Sequence, residues 1–175
     1  PLFHYFPSFA EFKEEHYTAY KKVNRIFAEE ILKIAKQDDV IWIHDYHLML
    51  LPAMIKQHLP DAQTGFFLHI PFPSHEIYKL LPQSWREELL NSLIRSDLIG
   101  FQTKEYVNHF RYTLSYFLGI EHSQGKIFHN GHFCNVADYP ISINFNKFFD
   151  AYNASSISKG RKSLTEKYKN TQLIF

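Results

Sequence analysis

Three short stretches of the chain are apolar without polar alternation: Val40-Ile41-Trp42-Ile43, Gly65-Phe66-Phe67-Leu68 and Leu98-Ile99-Gly100-Phe101. Runs of this kind predict strands buried on both faces, as in the parallel sheets of α/β proteins. Strands are expected over 40–44, 63–69 and 97–101. Ahead of the first, Ser8 and Glu11 have capping-box spacing, and Tyr20, Val23, Phe27, Ile31 and Ile34 recur at three- and four-residue steps. This predicts a long amphipathic helix ending near Gln37. A loop at Asp45–His47 and a helix over 48–58 separate the first two strands, giving a βαβ crossover that is right-handed by default.

Ile70-Pro71-Phe72-Pro73 is expected to be a stiff, non-helical loop, since each proline lacks a donor and disfavours the α region for its predecessor. Ser74 is expected to cap a short helix to Leu81. Ser84 with Glu87 predicts a second capping box before Leu89, Leu90, Leu93 and Ile94. After the third strand, Tyr106, Val107, Phe110, Leu114 and Phe117 line one face of a helix that Gly119 terminates. The pattern weakens over 121–138, where Asn130-Gly131 signals a hairpin turn. A short strand is expected over 139–143, a mostly helical polar stretch broken near Ser155-Ser156 over 146–169, and a new strand over 172–175. A domain boundary is placed near Ser142.

The 175 residues suffice for one domain with a real core, or one domain and the start of another. The chain opens on Pro1, as expected of a processed protein or a piece of a longer one. Nineteen basic and eighteen acidic residues are scattered and leave a formal charge of +1, so no basic stripe points to nucleic acid. No apolar run reaches the ~18 residues that a membrane span requires. Cys134 has no partner for an internal disulfide, which favours a reducing compartment. A soluble, cytoplasmic protein is expected.

The three expected strands end in His44-Asp45, His69 and Gln102, and ligands of parallel sheets bind beyond the carboxyl ends of strands. A carboxylate, two imidazoles and an amide would then share one crevice. These are groups that grip sugar hydroxyls: Asp45 accepts, and His69 donates or accepts according to tautomer. Plainer roles are open for both, a helix N-cap for Asp45 and a satisfied core histidine for His69. Convergence of His44, His47 and His69 on a metal is a further alternative, although helical HxxxH spacing and cysteine pairs are absent. His129 and His132 flank a turn and are expected to face solvent. Cys134 has no base nearby in sequence, and no glycine-rich phosphate loop occurs.

Trp42-Ile43-His44-Asp45-Tyr46-His47-Leu48, Gly65-Phe66-Phe67-Leu68-His69-Ile70-Pro71-Phe72-Pro73 and Asp97-Leu98-Ile99-Gly100-Phe101-Gln102-Thr103, in this order and spacing, resemble the trehalose-6-phosphate synthase family. Pro1-Leu2-Phe3-His4-Tyr5 is similar to the end of that family's tryptophan-proline-aromatic-histidine-tyrosine stretch. The resemblance runs over most of residues 1–143. It implies a GT-B glycosyltransferase: residues 1–142 as the later part of a Rossmann-like N-terminal acceptor domain with a parallel sheet, and 143–175 as the interdomain connection and start of the nucleotide-sugar-binding domain.

The activity so implied is transfer of glucose from UDP-glucose to glucose 6-phosphate with retention, forming trehalose 6-phosphate. No metal or other cofactor is implied, UDP-glucose being a donor substrate. Asp45 would bind the acceptor sugar at the reaction centre, His69 would contact the donor glucose, and Gln102 is a further substrate-binding candidate. A homo-oligomer or a trehalose synthase complex is the implied assembly. The family's acceptor-phosphate tyrosine and tryptophan would precede Pro1, and its pyrophosphate-binding arginine and lysine would follow Phe175. Ser142 stands where the family usually has glycine. The segment alone is therefore expected to be inactive. A noncatalytic regulatory or scaffold subunit is the competing expectation.

Overall fold

The computed structural model describes residues 1–123, 125–152 and 154–169. The chain divides into two units, Pro1–Pro140 and Ile141–Phe175. The first contains helix α1 (Glu14–Leu32), strand β1 (Val40–His44), α2 (Leu51–His58), β2 (Gln63–Leu68), α3 (His75–Tyr78), α4 (Gln83–Leu93), β3 (Leu98–Phe101), α5 (Lys104–Leu118) and strands β4 (His122–Ser123), β5 (Lys126–His129) and β6 (His132–Asp138). The second contains α6 (Phe145–Ala151) and α7 (Ser155–Lys167).

One sheet runs in the order β1-β2-β3-β6-β5-β4, with β1, β2, β3 and β6 parallel and β5 and β4 antiparallel. The register sets Ile43 beside Phe66, Phe66 beside Ile99 and Ile99 beside Val136. These four side chains share one face and are almost fully buried, with Leu68, Phe101 and Ile127 beside them and Leu90, Leu93, Phe110 and Leu114 of the helices completing the core. The period of two along each strand delivers this face.

The expected burial on both sides holds for residues 66–68 of β2 and 99–101 of β3 and fails elsewhere on the other face. Val40, Trp42, Leu98, Phe128 and Phe133 alternate onto it and stay exposed, Trp42 at 67% and Phe133 at 61%. Phe67 and Gly100 on the same face are buried, Phe67 at 6%, so the exposure falls on the edge strand β1, the start of β3 and the β5–β6 hairpin. An unbroken apolar run thus marks a strand without telling how many of its faces the surrounding chain covers.

The starts of β2 and β3 are tied together from below. Asp97 accepts the Thr64 amide (2.7 Å), the Thr64 hydroxyl (3.2 Å) and the Lys56 ammonium (2.8 Å), while Lys56 also donates to the Ala62 carbonyl at 2.7 Å. Partial burial pushes the Asp97 carboxyl up, but the hydrogen bonds and charge of Lys56 and the Thr64 amide prevail and hold it below the usual carboxylate range.

Several boundaries differ from expectation. Helix α1 begins at Glu14, because Pro7–Phe9 form a 3-10 turn and Glu11 pairs with Lys13 (2.8 Å) instead of closing a capping box. It ends at Leu32, because the Asp39 carboxylate accepts the Lys36 amide (2.8 Å) and folds the turn that feeds β1. Its buried stripe is Tyr17, Asn24 and Ala28, flanked by Tyr20 and Ile31, whereas Val23, Phe27 and Ile34 face solvent, Ile34 at 80%.

Ser84 lies inside α4, and Pro82 occupies its N-cap position, so the expected box is absent there too. Ser74 is at the N-cap of α3 without a capping hydrogen bond. Thr103 does cap α5, accepting from Tyr106, and Gly119 ends it in the left-handed region at φ 63°. Asn130 and Gly131 turn the β5–β6 hairpin with φ 49° and 76°. The strand expected over 139–143 is replaced by β6. Tyr139 adds one last ladder bond to the Phe101 carbonyl (2.8 Å), and Pro140, which has no donor, follows it.

In the second unit Asn144 caps α6 by accepting the Lys147 amide at 3.1 Å; α6 ends at Ala151 and α7 starts at Ser155, beside the expected helix break. The strand expected over 172–175 lies outside the described residues. Among the described residues no helix is long and apolar enough to cross a membrane.

Candidate functional site

The carboxyl ends of β1 and β2 bring His44, Asp45 and His69 together. The His44 Nδ1 and His69 Nε2 atoms lie 2.9 Å apart, and both residues are exposed. At that separation one ring donates and the other accepts, so the contact fixes complementary protonation at these two nitrogens. His44 Nε2 and His69 Nδ1 take no part in it. His69 is thus an exposed member of a histidine pair, not a satisfied core residue.

Asp45 follows β1 with φ 70° and ψ 169°, a region open almost solely to glycine. Its amide donates to the Phe67 carbonyl at 2.8 Å, which continues the β1–β2 ladder past His44. Its carboxylate Oδ1 accepts a long hydrogen bond from the His69 amide at 3.4 Å, and Oδ2 lies 4.0 Å from His47 Nδ1. The half-buried carboxylate makes no capping hydrogen bond to the 3-10 turn at Tyr46–Leu48, so the N-cap role is not the one it plays. Helix α2 begins only at Leu51.

Gln102 is the first residue after β3, and the Leu68–Phe101 register sets it abreast of His69. His47 stands beside Asp45, with its ring 3.9 Å from that of Tyr46. The His4 ring meets Tyr46 edge-on at 5.8 Å, so the N-terminal turn Leu2–His4 borders the same end of the sheet. Among the described residues no group of three or more histidine, cysteine, aspartate or glutamate side chains is placed to hold a metal ion.

Two anchors were not apparent from the sequence pattern. Phe72, in the middle of the proline loop, is fully buried against Phe110 (5.1 Å), Tyr78 (5.4 Å) and Phe101 (5.8 Å). Its carbonyl also meets His109 Nδ1 at 3.0 Å. The loop leaving His69 is thereby pinned three residues downstream.

The second anchor lies on α1. Asn24, fully buried, donates to the Tyr20 and His47 carbonyls at 2.9 and 3.0 Å and accepts the Leu50 amide at 3.2 Å. The Tyr20 hydroxyl donates to the Tyr46 carbonyl (2.8 Å) and accepts the Met49 amide (3.0 Å). A polar residue on the Tyr17–Tyr20–Asn24–Ala28 stripe was the available signal for it.

Other histidines and the cysteine stay outside the site. His132 is half-buried and reaches the Ser96 carbonyl at 3.1 Å, contrary to the expected solvent-facing position. Cys134 is buried, and burial pushes its thiol far up, away from nucleophilic use. A groove of about 370 Å³ lined by Met54, Glu88, Arg95 and His129 lies toward the opposite end of the strands from His44.

A family model described as glycosyltransferase family 20 matches residues 1–175. The chain is 37% identical over 174 residues to alpha,alpha-trehalose-phosphate synthase (UDP-forming) A of Dictyostelium discoideum, covering 99% of this chain and 24% of that protein. Its fold is similar to the crystal structure of an alpha,alpha-trehalose-phosphate synthase (UDP-forming) from Burkholderia xenovorans in complex with glucose-6-phosphate. The TM-score there is 0.84 at 27% identity, over 98% of this chain and 38% of the other. The N-terminal domain of the Candida albicans trehalose-6-phosphate phosphatase is similar at TM-score 0.81 and 34% identity, over 98% and 37% of the two chains. The chain thus spans roughly a quarter to two fifths of the proteins it matches.

Proposed function

This chain belongs to glycosyltransferase family 20, and we propose that the protein containing it transfers glucose from UDP-glucose to glucose 6-phosphate, forming trehalose 6-phosphate with retention. The observation that carries this reading is the meeting of Asp45, His44 and His69 at the carboxyl ends of two adjacent parallel strands. Relatives named for this synthase activity support it. In the transfer the bond from the glucose anomeric carbon to the UDP phosphate oxygen breaks. A bond to the acceptor hydroxyl oxygen forms on the same face, and the hydroxyl proton passes to the departing phosphate.

The residues of this chain act by placement. Asp45 accepts from an acceptor hydroxyl and orients it, while His69, set by His44, holds the donor glucose; Gln102 adds a polar contact beside His69. A reaction of this type draws its acceleration from alignment and charge stabilisation, and it needs no carboxylate pair of the glycosidase kind. The 175 residues alone carry only part of such a site and do not turn over.

A second reading is favoured by the likeness to the N-terminal domain of a trehalose-6-phosphate phosphatase. In it the same fold serves as a noncatalytic regulatory or scaffold part of a trehalose synthase complex. One experiment separates the two: the full-length protein is given UDP-glucose and glucose 6-phosphate, UDP release is followed, and the product's anomeric configuration is read by NMR. Formation of the α,α-linked product is the expected result. Sugar-phosphate binding without UDP release would replace the first reading with the second.

A further inference from the structure

We infer that Tyr20 and Asn24, on α1, are positioning residues that hold Asp45 in its working conformation, an inference that rests on the transfer reading above. The turn after β1 exposes four backbone polar groups that no helix or strand satisfies: the carbonyls of Tyr46 and His47 and the amides of Met49 and Leu50. Two side chains from a single helix take all four. The Tyr20 hydroxyl both donates and accepts, and the Asn24 carboxamide uses both its amine hydrogens and its oxygen.

Asp45 stands immediately before these groups. A non-glycine residue at φ 70°, ψ 169° persists only where its surroundings over-determine it. On one side the Phe67 carbonyl holds its amide, and on the other the α1 side chains hold four of the five residues that follow, Tyr46, His47, Met49 and Leu50. The backbone is fixed at both ends, and the carboxylate is left turned toward His69. The stripe also explains why α1 buries a polar residue: an apolar side chain at position 24 would pack but would orphan the His47 carbonyl and the Leu50 amide.

Acting through Asp45 has a kinetic signature that a merely structural role lacks. In the full-length protein, Tyr20→Phe and Asn24→Asp are each made in the wild-type and in an Asp45→Asn background. Asn24→Asp keeps the shape while turning a double donor into an acceptor facing two carbonyls. In the wild-type background each change is expected to lower kcat about tenfold or more with the donor KM unchanged, since small misplacements of reacting groups are costly. In the Asp45→Asn background the same change is expected to lower the residual rate less than about threefold, because residues acting as a unit are not additive.

Equal losses in the two backgrounds, or a loss confined to thermal stability, overturn the positioning role. If Asn24→Asp does not fold, Tyr20→Phe, which removes a single oxygen, completes the cycle alone. Absence of UDP release from the wild-type protein overturns the transfer reading and this inference with it, whereas wild-type turnover with additive losses overturns this inference only.

Discussion

The imidazoles of His44 and His69 meet nitrogen to nitrogen at 2.9 Å across the ends of neighbouring parallel strands. Neither ring can hold a proton on the shared side unless the other offers a lone pair there. Orientation of His69 is therefore a property of the pair. His44→Phe, which keeps the ring and removes the nitrogen, is expected to raise the donor KM and to lower kcat/KM about tenfold, an effect of lost alignment. Both residues are exposed, so the melting temperature should hold; steady-state kinetics beside thermal unfolding would check this.

Asp45 offers a test in which stability and activity part company. Asp45→Asn is expected to remove most turnover, about 100-fold or more if placement of the acceptor is what the carboxylate supplies. Asp45→Gly should remove turnover as well, but it releases a backbone strained at φ 70° and should stabilise the fold by about 1 kcal/mol. Thermal unfolding of the two variants should show glycine the more stable of the pair. A glycine variant less stable than the asparagine variant would mean that the conformation is not strained.

Phe72 fastens the proline loop to the core. Phe72→Ala is expected to cost about 3–5 kcal/mol through lost burial and the cavity left among Tyr78, Phe101 and Phe110. Phe72→Leu should recover most of that loss. Denaturant unfolding would measure both, with activity following the loop's attachment.

The Asp97–Lys56 contact sets an acid dependence whose sign is fixed. Because the folded carboxyl titrates below its unfolded value, it adds stability that is complete above the ordinary carboxylate range and lost as pH falls through the lowered folded value. Lys56→Met is expected to destabilise by about 1–2 kcal/mol at neutral pH, a modest figure because Asp97 is 39% exposed and solvent screens it. With Lys56 gone the carboxyl moves back toward its unfolded value, so the gap between variant and wild type should narrow on acidification. Denaturant titrations at pH 7 and near pH 3 would show it; a gap that widens in acid would contradict the assignment.

Some of this was legible from residues alone, and the reasons are physical. The apolar runs at 40–43, 65–68 and 98–101 marked β1, β2 and β3, Asn130-Gly131 marked the hairpin, and Gly119 marked the end of α5. In each case a local preference and the tertiary environment agree. The buried face of α1 is not the one its apolar spacing predicts, because the hydrogen bonds of Asn24, not its hydropathy, decide which side is buried. Asn130-Gly131 marks where β6 begins but not its extent, because Asn135 and Asp138 break its apolar run and its length is set by pairing with β3 and β5. The proximity of His44, Asp45 and His69 followed from strand order, but the nitrogen-to-nitrogen contact depends on register and rotamer, which no spacing encodes.

The exposed edge of the sheet at β1 gives the chain a built-in optical reporter. Of its two tryptophans, Trp85 is buried against Tyr17 and Trp42 lies exposed on the face of the edge strand β1. Emission from the isolated chain should therefore contain a red-shifted component that iodide quenches and a shielded component that it does not. Whatever comes to rest on that face will silence the quenchable part first, so the seating of a covering element can be followed by light without adding a label.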